Sequence, residues 1–314
     1  MPRDMELAGA FHDFRSAAAA VLQYLHRRIG FDLWLISRVE GEEWIILQVE
    51  DHGYGVNPGS VFRWADTFCI EMVAGRGPNI APRVDCVKVY ADAALGGNVK
   101  IGAYVGYPLT REDGTVFGTL CGVHPAPQPQ AIVQEGPLLE LLTKMLSTIL
   151  AAELKTVTGA RREERLAAQQ HLDPATDLYD RHAWTQLLAA EETRCRLYGN
   201  VACVAVIELG RQFERAREEG IQAADDLLRI AGGCVTAVTR EQDIVARIGD
   251  STLAVLALDC DRSGSRALVA RLNESLAGEQ IDAAIAVAHR ARPLLTLDHA
   301  WSEAERTASE KKPA

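Results

Sequence analysis

Apolar residues recur at helical spacing from Met5 to Arg28, with Leu7, Ala10, Phe11, Phe14, Ala18, Leu22 and Leu25 on one face. That spacing predicts a helix, and Gly30 is placed to end it. Two runs with strand character follow, Leu33 to Glu40 and Trp44 to Glu50, and Gly41-Glu42-Glu43 between them is a hairpin signal. A glycine-rich loop, Gly53 to Gly59, leads into a helical segment at about Trp64 to Ala74, and Gly75 to Pro82 reads as another loop. Ile101 to Leu109 and Val116 to Val123 read as strands joined by the turn Arg111-Glu112-Asp113-Gly114. Helix, hairpin, variable middle and closing hairpin predict an α+β domain over residues 1–135.

From Gly136 to about Leu172 the pattern is helical. Leu138, Leu142, Met145, Ile149, Ala152 and Thr156 fall at alternating four- and three-residue steps, the beginnings of a two-helix seam. The later stretch Arg161-Arg162-Glu163-Glu164-Arg165 is polar and reads as solvated. Such a helix would run roughly 50 Å at 1.5 Å per residue. It is expected to connect two domains (residues 136–172) and to pair with its mate in a homodimer.

Beyond it, residues 173–314 alternate helix and strand. A helix runs to about Tyr198, then a strand from Val201 to Leu209 and a helix from Ala223 to about Thr239. A hairpin comes next: Ile244 to Ala246 and Leu253 to Leu258 flank a polar turn that contains Gly249 and Asp250. A helix from about Ser263 to Leu276, a strand from Ala283 to Ala288 and a helix from Leu297 to Glu310 complete the chain. The expected fold class is α+β with two domains: an antiparallel sheet with flanking helices, then a central sheet with surrounding helices, joined by a long helix.

Two stretches carry family resemblances. Ile101-Gly102-Ala103-Tyr104-Val105-Gly106-Tyr107-Pro108-Leu109 and Gly114-Thr115-Val116-Phe117-Gly118-Thr119-Leu120-Cys121 resemble the closing strands of GAF domains, and the likeness covers about residues 16 to 155. It implies a small-molecule sensor and leaves the ligand open. Trp64, Phe68, Cys69, Tyr90 and Tyr104 are the candidate pocket residues. His52 and His124 are further candidates, though a lone histidine at a strand end such as His124 is read as a hydrogen-bonded structural residue rather than a haem ligand, and Cys69 and Cys121 are read as packing residues rather than chromophore attachment points.

The second resemblance rests on Asp173-Pro174-Ala175-Thr176-Asp177-Leu178-Tyr179-Asp180-Arg181 and on the hairpin Arg247-Ile248-Gly249-Asp250-Ser251-Thr252-Leu253. Both resemble motifs of GGDEF diguanylate cyclases, over about residues 171 to 311. In working cyclases two acidic residues hold two metal ions over the phosphates of GTP, where they stabilise charge during phosphoryl transfer. Here the first position is Glu208. The second is Ser251, which cannot replace a charged ligand for a hard cation. The acid credited with deprotonating the attacking hydroxyl is Thr252, whose hydroxyl is no base near neutral pH. The family's phosphate lysine matches Phe213 and its guanine-reading Asn matches Ala216, while the Asp partner survives as Asp225. The lysine-bearing motif of the last helix is replaced by Ala304 to Ser309. A one-residue slip of the hairpin would bring Asp250 to the metal position, but would leave the other losses unrepaired.

The resemblance therefore implies a chain with no catalytic residues and no bound metal, Glu208, Asp250, Ser251 and Thr252 being the degenerate positions. Arg240-Glu241-Gln242-Asp243 stands where product-binding cyclases carry an RxxD motif, and Arg271 where the family often adds a further arginine. An arginine fork suits both a phosphate and the Hoogsteen edge of guanine. The competing reading is an ion pair between residues three apart at a helix end. No cofactor is fixed by these residues, and cyclic di-GMP is the ligand that the resemblance implies. The expected role is a cyclic di-GMP or nucleotide receptor, or a protein-interaction output. The rivals are a residual diguanylate cyclase using Glu208 and Asp250, and a scaffold whose second domain only dimerises.

Composition narrows the partners. Apolar residues make up 48% and charged residues 24% of 314, the balance of a water-soluble globular protein. A net charge of −10 argues against nucleic acid or an anionic membrane as main partner. No apolar run approaches the roughly 20 residues needed to cross a bilayer. The stretch Ala17 to Leu25 is too short and too acidic in its approach to read as a signal peptide. Seven cysteines without CxxC spacing read as reduced thiols in a cytoplasm, with no zinc site.

Overall fold

The computed structural model describes residues 11–93, 99–290 and 296–312. The chain divides into two compact units, Met1–Gly159 and Ala160–Ala314. Among the described residues they hold two sheets.

In the first unit, helix α1 (Phe14–Ile29) starts at a reciprocal cap. The Asp13 carboxylate accepts from Ser16 N at 2.7 Å, and Ser16 Oγ accepts from Asp13 N. This cap corrects the expected start at Met5: Phe11 lies outside the helix and is 50% exposed. Leu7 and Ala10 lie outside the described residues. Gly30 ends the helix in the left-handed conformation, as its position predicts.

Six strands follow: β1 (Leu33–Glu40), β2 (Glu43–Asp51), β3 (Val61–Arg63), β4 (Ile80–Ala81), β5 (Ala103–Thr110) and β6 (Val116–His124). They form one antiparallel sheet in the order β3-β2-β1-β6-β5-β4. Between β3 and β4 the expected single helix is split. A 3-10 turn, Trp64–Asp66, stops at extended Thr67, which caps α2 (Phe68–Val73). Strand β4 lies in a stretch read as loop, and α3 (Lys88–Ala91) was not foreseen. Both are too short to show a period.

Strand β1 is buried on both faces because the sheet separates two cores. Trp34 and Ile36 pack with Phe14, Leu22, Leu120, Leu139 and Leu146. Leu33 and Leu35, on the opposite face, pack with Trp44, Phe68, Tyr104 and Cys121. Close approach across β1 and β6 requires Gly118, since a Cβ there would sit 1.8 Å from the Ser37 carbonyl oxygen.

Helix α4 (Gly136–Ala168) is continuous, as the sequence pattern predicts. Its fully buried residues are Leu139, Leu146 and Leu150, so the stripe facing the first core differs from the predicted seam. Leu142 and Ile149 of that seam are half-buried against this core. Met145 is 53% exposed, and Ala152 and Thr156 are exposed.

In the second unit the sheet is β10 (Ala283–His289), β7 (Ala202–Leu209), β9 (Thr252–Leu258) and β8 (Ile244–Arg247), in that spatial order and antiparallel throughout. Helices α5 (Arg181–Tyr198) and α9 (Leu297–Glu310) cover one face through Trp184, Leu188 and Trp301. Helices α7 (Ile221–Val238) and α8 (Arg262–Gly278) cover the other through Leu228, Val235 and Leu272. Helix α6 (Arg211–Glu219) was not foreseen: its only buried residue is Phe213, too little for an apolar stripe.

Candidate functional site

The hairpin turn between β8 and β9 is clamped from the entry motif. Asp173 accepts from Thr176 N and Oγ1 at 3.0 and 2.8 Å and pairs with Arg247 at 3.1 Å. Arg247 also donates to the carbonyls of Gly249 and Asp250, and Arg181 donates to that of Ile248. Backbone bonds between Tyr179, Val245 and Arg247 lay the entry motif along β8. The turn is thereby fixed in one register, in which Glu208 of β7 faces Thr252.

That register decides what surrounds the carboxylate. Ser251 Oγ donates to Glu208 Oε1 at 2.7 Å, and Thr252 Oγ1 donates to Oε2 at 2.6 Å. The Lys312 ammonium lies 3.2 Å from Oε1 and donates to Glu214 Oε1 at 3.1 Å. Burial works against the charge on Lys312, but its bonds to Glu214 and Glu208 outweigh this and raise its pKa. Asp250 points away from Glu208. Its side chain is 79% exposed and pairs with Arg217 at 3.5 Å.

A divalent cation does not fit these residues. It would find one carboxylate, both of whose oxygens already accept hydroxyl protons, and an ammonium within hydrogen-bond distance of the same oxygen. Among the described residues, no group of three or more His, Cys, Asp or Glu side chains is arranged to hold a metal. Phe213 is 3% exposed and packs into the core beside Ala216, so the positions of the family's phosphate lysine and guanine-reading Asn both face inward. Asp225 is half-buried on α7.

Sequence reading missed Lys312. The available signal was that Lys311 and Lys312 are the only lysines in residues 160–314, where every other permanent cation is arginine.

Arg240, Asp243 and Arg271 do come together, around a shallow depression also lined by Leu258, Cys260 and Leu268. Among the described residues no ion pair, the competing reading of this motif, joins the Arg240 and Asp243 side chains. Asp243 instead accepts from the backbone N–H groups of Arg240 at 2.9 Å and Leu258 at 3.2 Å, holding the turn against β9. Among the described residues the Arg240 guanidinium has no side-chain partner, and Arg271 Nε donates to the Val238 carbonyl at 3.2 Å. Arg165 from the end of α4 donates to the carbonyls of Glu241, at 2.6 Å, and Gln242, so this turn is also gripped by the connector helix.

In the first unit a cavity of about 480 Å³ opens on the face of the sheet that carries α2. Phe68, Cys69 and Tyr104 line it, as predicted. Trp64 and Tyr90 are not on its wall: Tyr90 packs against the Phe68 and Tyr104 rings and donates to the Pro78 carbonyl at 2.6 Å. Leu35, Trp44, Tyr54, Phe62 and Cys121 were missed as wall residues. His52 stacks on His26 at 3.7 Å and bonds to Glu50, and His124 bonds within its own turn to Ala126 and Gln128. Neither histidine lines the cavity.

Residues 170–304 match the family model described as diguanylate cyclase, GGDEF domain. The diguanylate cyclase DgcP of Escherichia coli (strain K12) is 21% identical over 191 residues, covering 60% of this chain and 55% of that protein, so the chain spans about half the length of this curated relative. Among solved structures, the FimX GGDEF domain from Pseudomonas aeruginosa is 23% identical, covering 44% of this chain and 91% of that one, with a TM-score of 0.42. The GGDEF domain of DgcB from Caulobacter crescentus, in complex with c-di-GMP, is 17% identical over 45% of this chain and 88% of that one, with a TM-score of 0.41. Residues 170–304 thus match the GGDEF domain model, and over 191 residues the chain is similar to a diguanylate cyclase.

Proposed function

We propose that the GGDEF domain of this chain makes no cyclic di-GMP and serves as a receptor for it, downstream of a GAF-type sensor unit, in a dimeric signalling protein of the cytoplasm. The observation that carries the first half is the saturation of Glu208 by Ser251, Thr252 and Lys312. Phosphoryl transfer in this fold is driven by cations held on carboxylates, and hydroxyls with a tethered ammonium cannot polarise GTP in their place. The residual-cyclase alternative needs Asp250 beside Glu208, and its carboxylate lies on the exposed side of the turn.

Support for the receptor half is the convergence of Arg240 and Arg271 on one depression away from Glu208. Exposed guanidinium forks suit the phosphates and guanine edges of a cyclic dinucleotide. Because Asp243 holds the turn through backbone N–H groups, it positions Arg240 as well as offering a carboxylate for a guanine amino group. The sensor half rests on the antiparallel sheet with its cavity on one face, and dimerisation rests on the exposed Leu141 and Met145 of α4. No helix among the described residues is long and apolar enough to cross a membrane.

Titrating the intact protein with cyclic di-GMP by calorimetry tests the receptor. Binding should be measurable, and Arg240→Ala should weaken it about ten- to a hundredfold, the effect of losing one charge-assisted contact of roughly 1.5–3 kcal/mol. Arg271→Ala should weaken it less, because one of its donors is already committed to Val238. Absence of binding by the parent at about a hundred micromolar ligand would leave the domain a scaffold.

A further inference from the structure

Two of the seven cysteines share a wall of the first unit's cavity, Cys69 on α2 and Cys121 on β6. Both are buried, at 1% and 3% exposure, yet they are not surrounded by hydrocarbon alone. Tyr104 Oη donates to Cys69 Sγ at 3.4 Å, and Thr119 Oγ1 donates to the same sulfur at 3.5 Å. Thr119 Oγ1 also lies 2.8 Å from Ser37 Oγ and accepts from Trp44 Nε1 at 3.4 Å, so it is held in place beside the sulfur. Two hydroxyl donors therefore converge on one buried sulfur atom at the cavity wall.

Donors of this kind stabilise sulfur in its anionic form, which is the nucleophile. Burial pushes the Cys69 thiol up, but the bonds from Cys121, Thr119 and Tyr104 outweigh it and hold the group below the ordinary thiol range. Cys121 is driven the other way, by burial and by its bond to Cys69. One member is prepared to attack and its neighbour keeps its proton. The contrast is Cys86, which is exposed but has no such set of donors among the described residues.

We propose that Cys69 and Cys121 are a peroxide-reactive dithiol, with Cys69 the attacking and Cys121 the resolving residue, and that the cavity admits hydrogen peroxide or a small organic hydroperoxide. The Cys69 sulfur attacks the terminal peroxide oxygen and the O–O bond breaks. The departing oxygen takes a proton and leaves as water or an alcohol, and Cys69 becomes a sulfenic acid. The Cys121 sulfur then attacks Cys69. An S–S bond forms, the S–O bond breaks, and the hydroxyl leaves as water with the Cys121 proton. The thiol pair loses two electrons and the peroxide gains them. An added dithiol restores the starting state.

The test treats the intact, reduced protein with stoichiometric hydrogen peroxide or cumene hydroperoxide, quenches with an alkylating agent, and maps peptides by mass spectrometry. A Cys69–Cys121 disulfide should form before Cys86 is oxidised, and dithiothreitol should reverse it. In Cys121→Ser the reaction should stop at a Cys69 sulfenic acid that dimedone traps, and Cys69→Ser should abolish both products. Tyr104→Phe removes one donor without removing a ring and should slow disulfide formation roughly tenfold, the kinetic weight of about one lost hydrogen bond. Oxidation confined to Cys86, or a Cys69–Cys121 rate equal in the parent and Tyr104→Phe, would overturn the proposal. Circular dichroism on each variant separates loss of reactivity from loss of fold.

Discussion

Glu191 is a buried acid of the second unit held by two arginines. Its side chain is 4% exposed and lies between Arg161, at 2.7 Å, and Arg194, at 2.7 Å, while Arg194 also reaches Glu164 at 2.5 Å. This carboxylate offsets the charge of both guanidiniums, whereas Glu164 serves Arg194 alone. Glu191→Ala should therefore cost about 3–5 kcal/mol of stability, because Arg161 loses its carboxylate partner and Arg194 keeps only Glu164, measured by urea denaturation. A loss within the range of an exposed ion pair, about 0–1 kcal/mol, would show that water replaces the carboxylate. The stretch Arg161 to Arg165 reads in sequence as a solvated face, because charge density says nothing of what a later helix will place against it. Once α5 packs there, Arg161, Glu164 and Arg165 all acquire partners. The same limit hid Lys312. Its charge was visible, but its meeting with Glu208 depends on where the chain goes after α9.

At the scale of elements, the long regular pieces were legible and the short ones were not. Strand β7 shows eight buried residues in a row and its sequence reads as one apolar run, so nothing competes with the strand. Helix α6 is the opposite case, with nine residues and a single buried side chain, and only tertiary packing by Phe213 reveals it. Of the cavity, the aromatic candidates on α2 and β5 were found, whereas Leu35, Trp44 and Cys121 required knowing which strands pair.

Helix α4 shows a subtler failure. The predicted seam joins Leu142 and Ile149, which help fill the first unit's own core, to the exposed Met145. The surface open to the proposed second copy runs through Leu141 and Met145, at 56% and 53% exposure. Light scattering should find the parent dimeric at micromolar concentration and the double variant Leu141→Glu, Met145→Glu monomeric, since each side chain forfeits about 1.5–3 kcal/mol of burial. A parent that is monomeric, or a double variant that still dimerises, would remove α4 as the dimer contact.

For the whole molecule, the proposed absence of cyclase activity rests on Glu208, whose carboxylate is already satisfied by the chain's own hydroxyls and ammonium. The entry motif, the Arg247 clamp and the β7–β9 register are those of a well-built hairpin, so the proposed loss concerns ligand chemistry rather than fold. The most direct measurement is incubation of the purified protein with GTP and either Mg²⁺ or Mn²⁺, followed by chromatography of the nucleotides. No cyclic di-GMP should form at any protein concentration. Cyclic di-GMP appearing in proportion to protein and abolished by Glu208→Gln would contradict the account and make this domain a working cyclase.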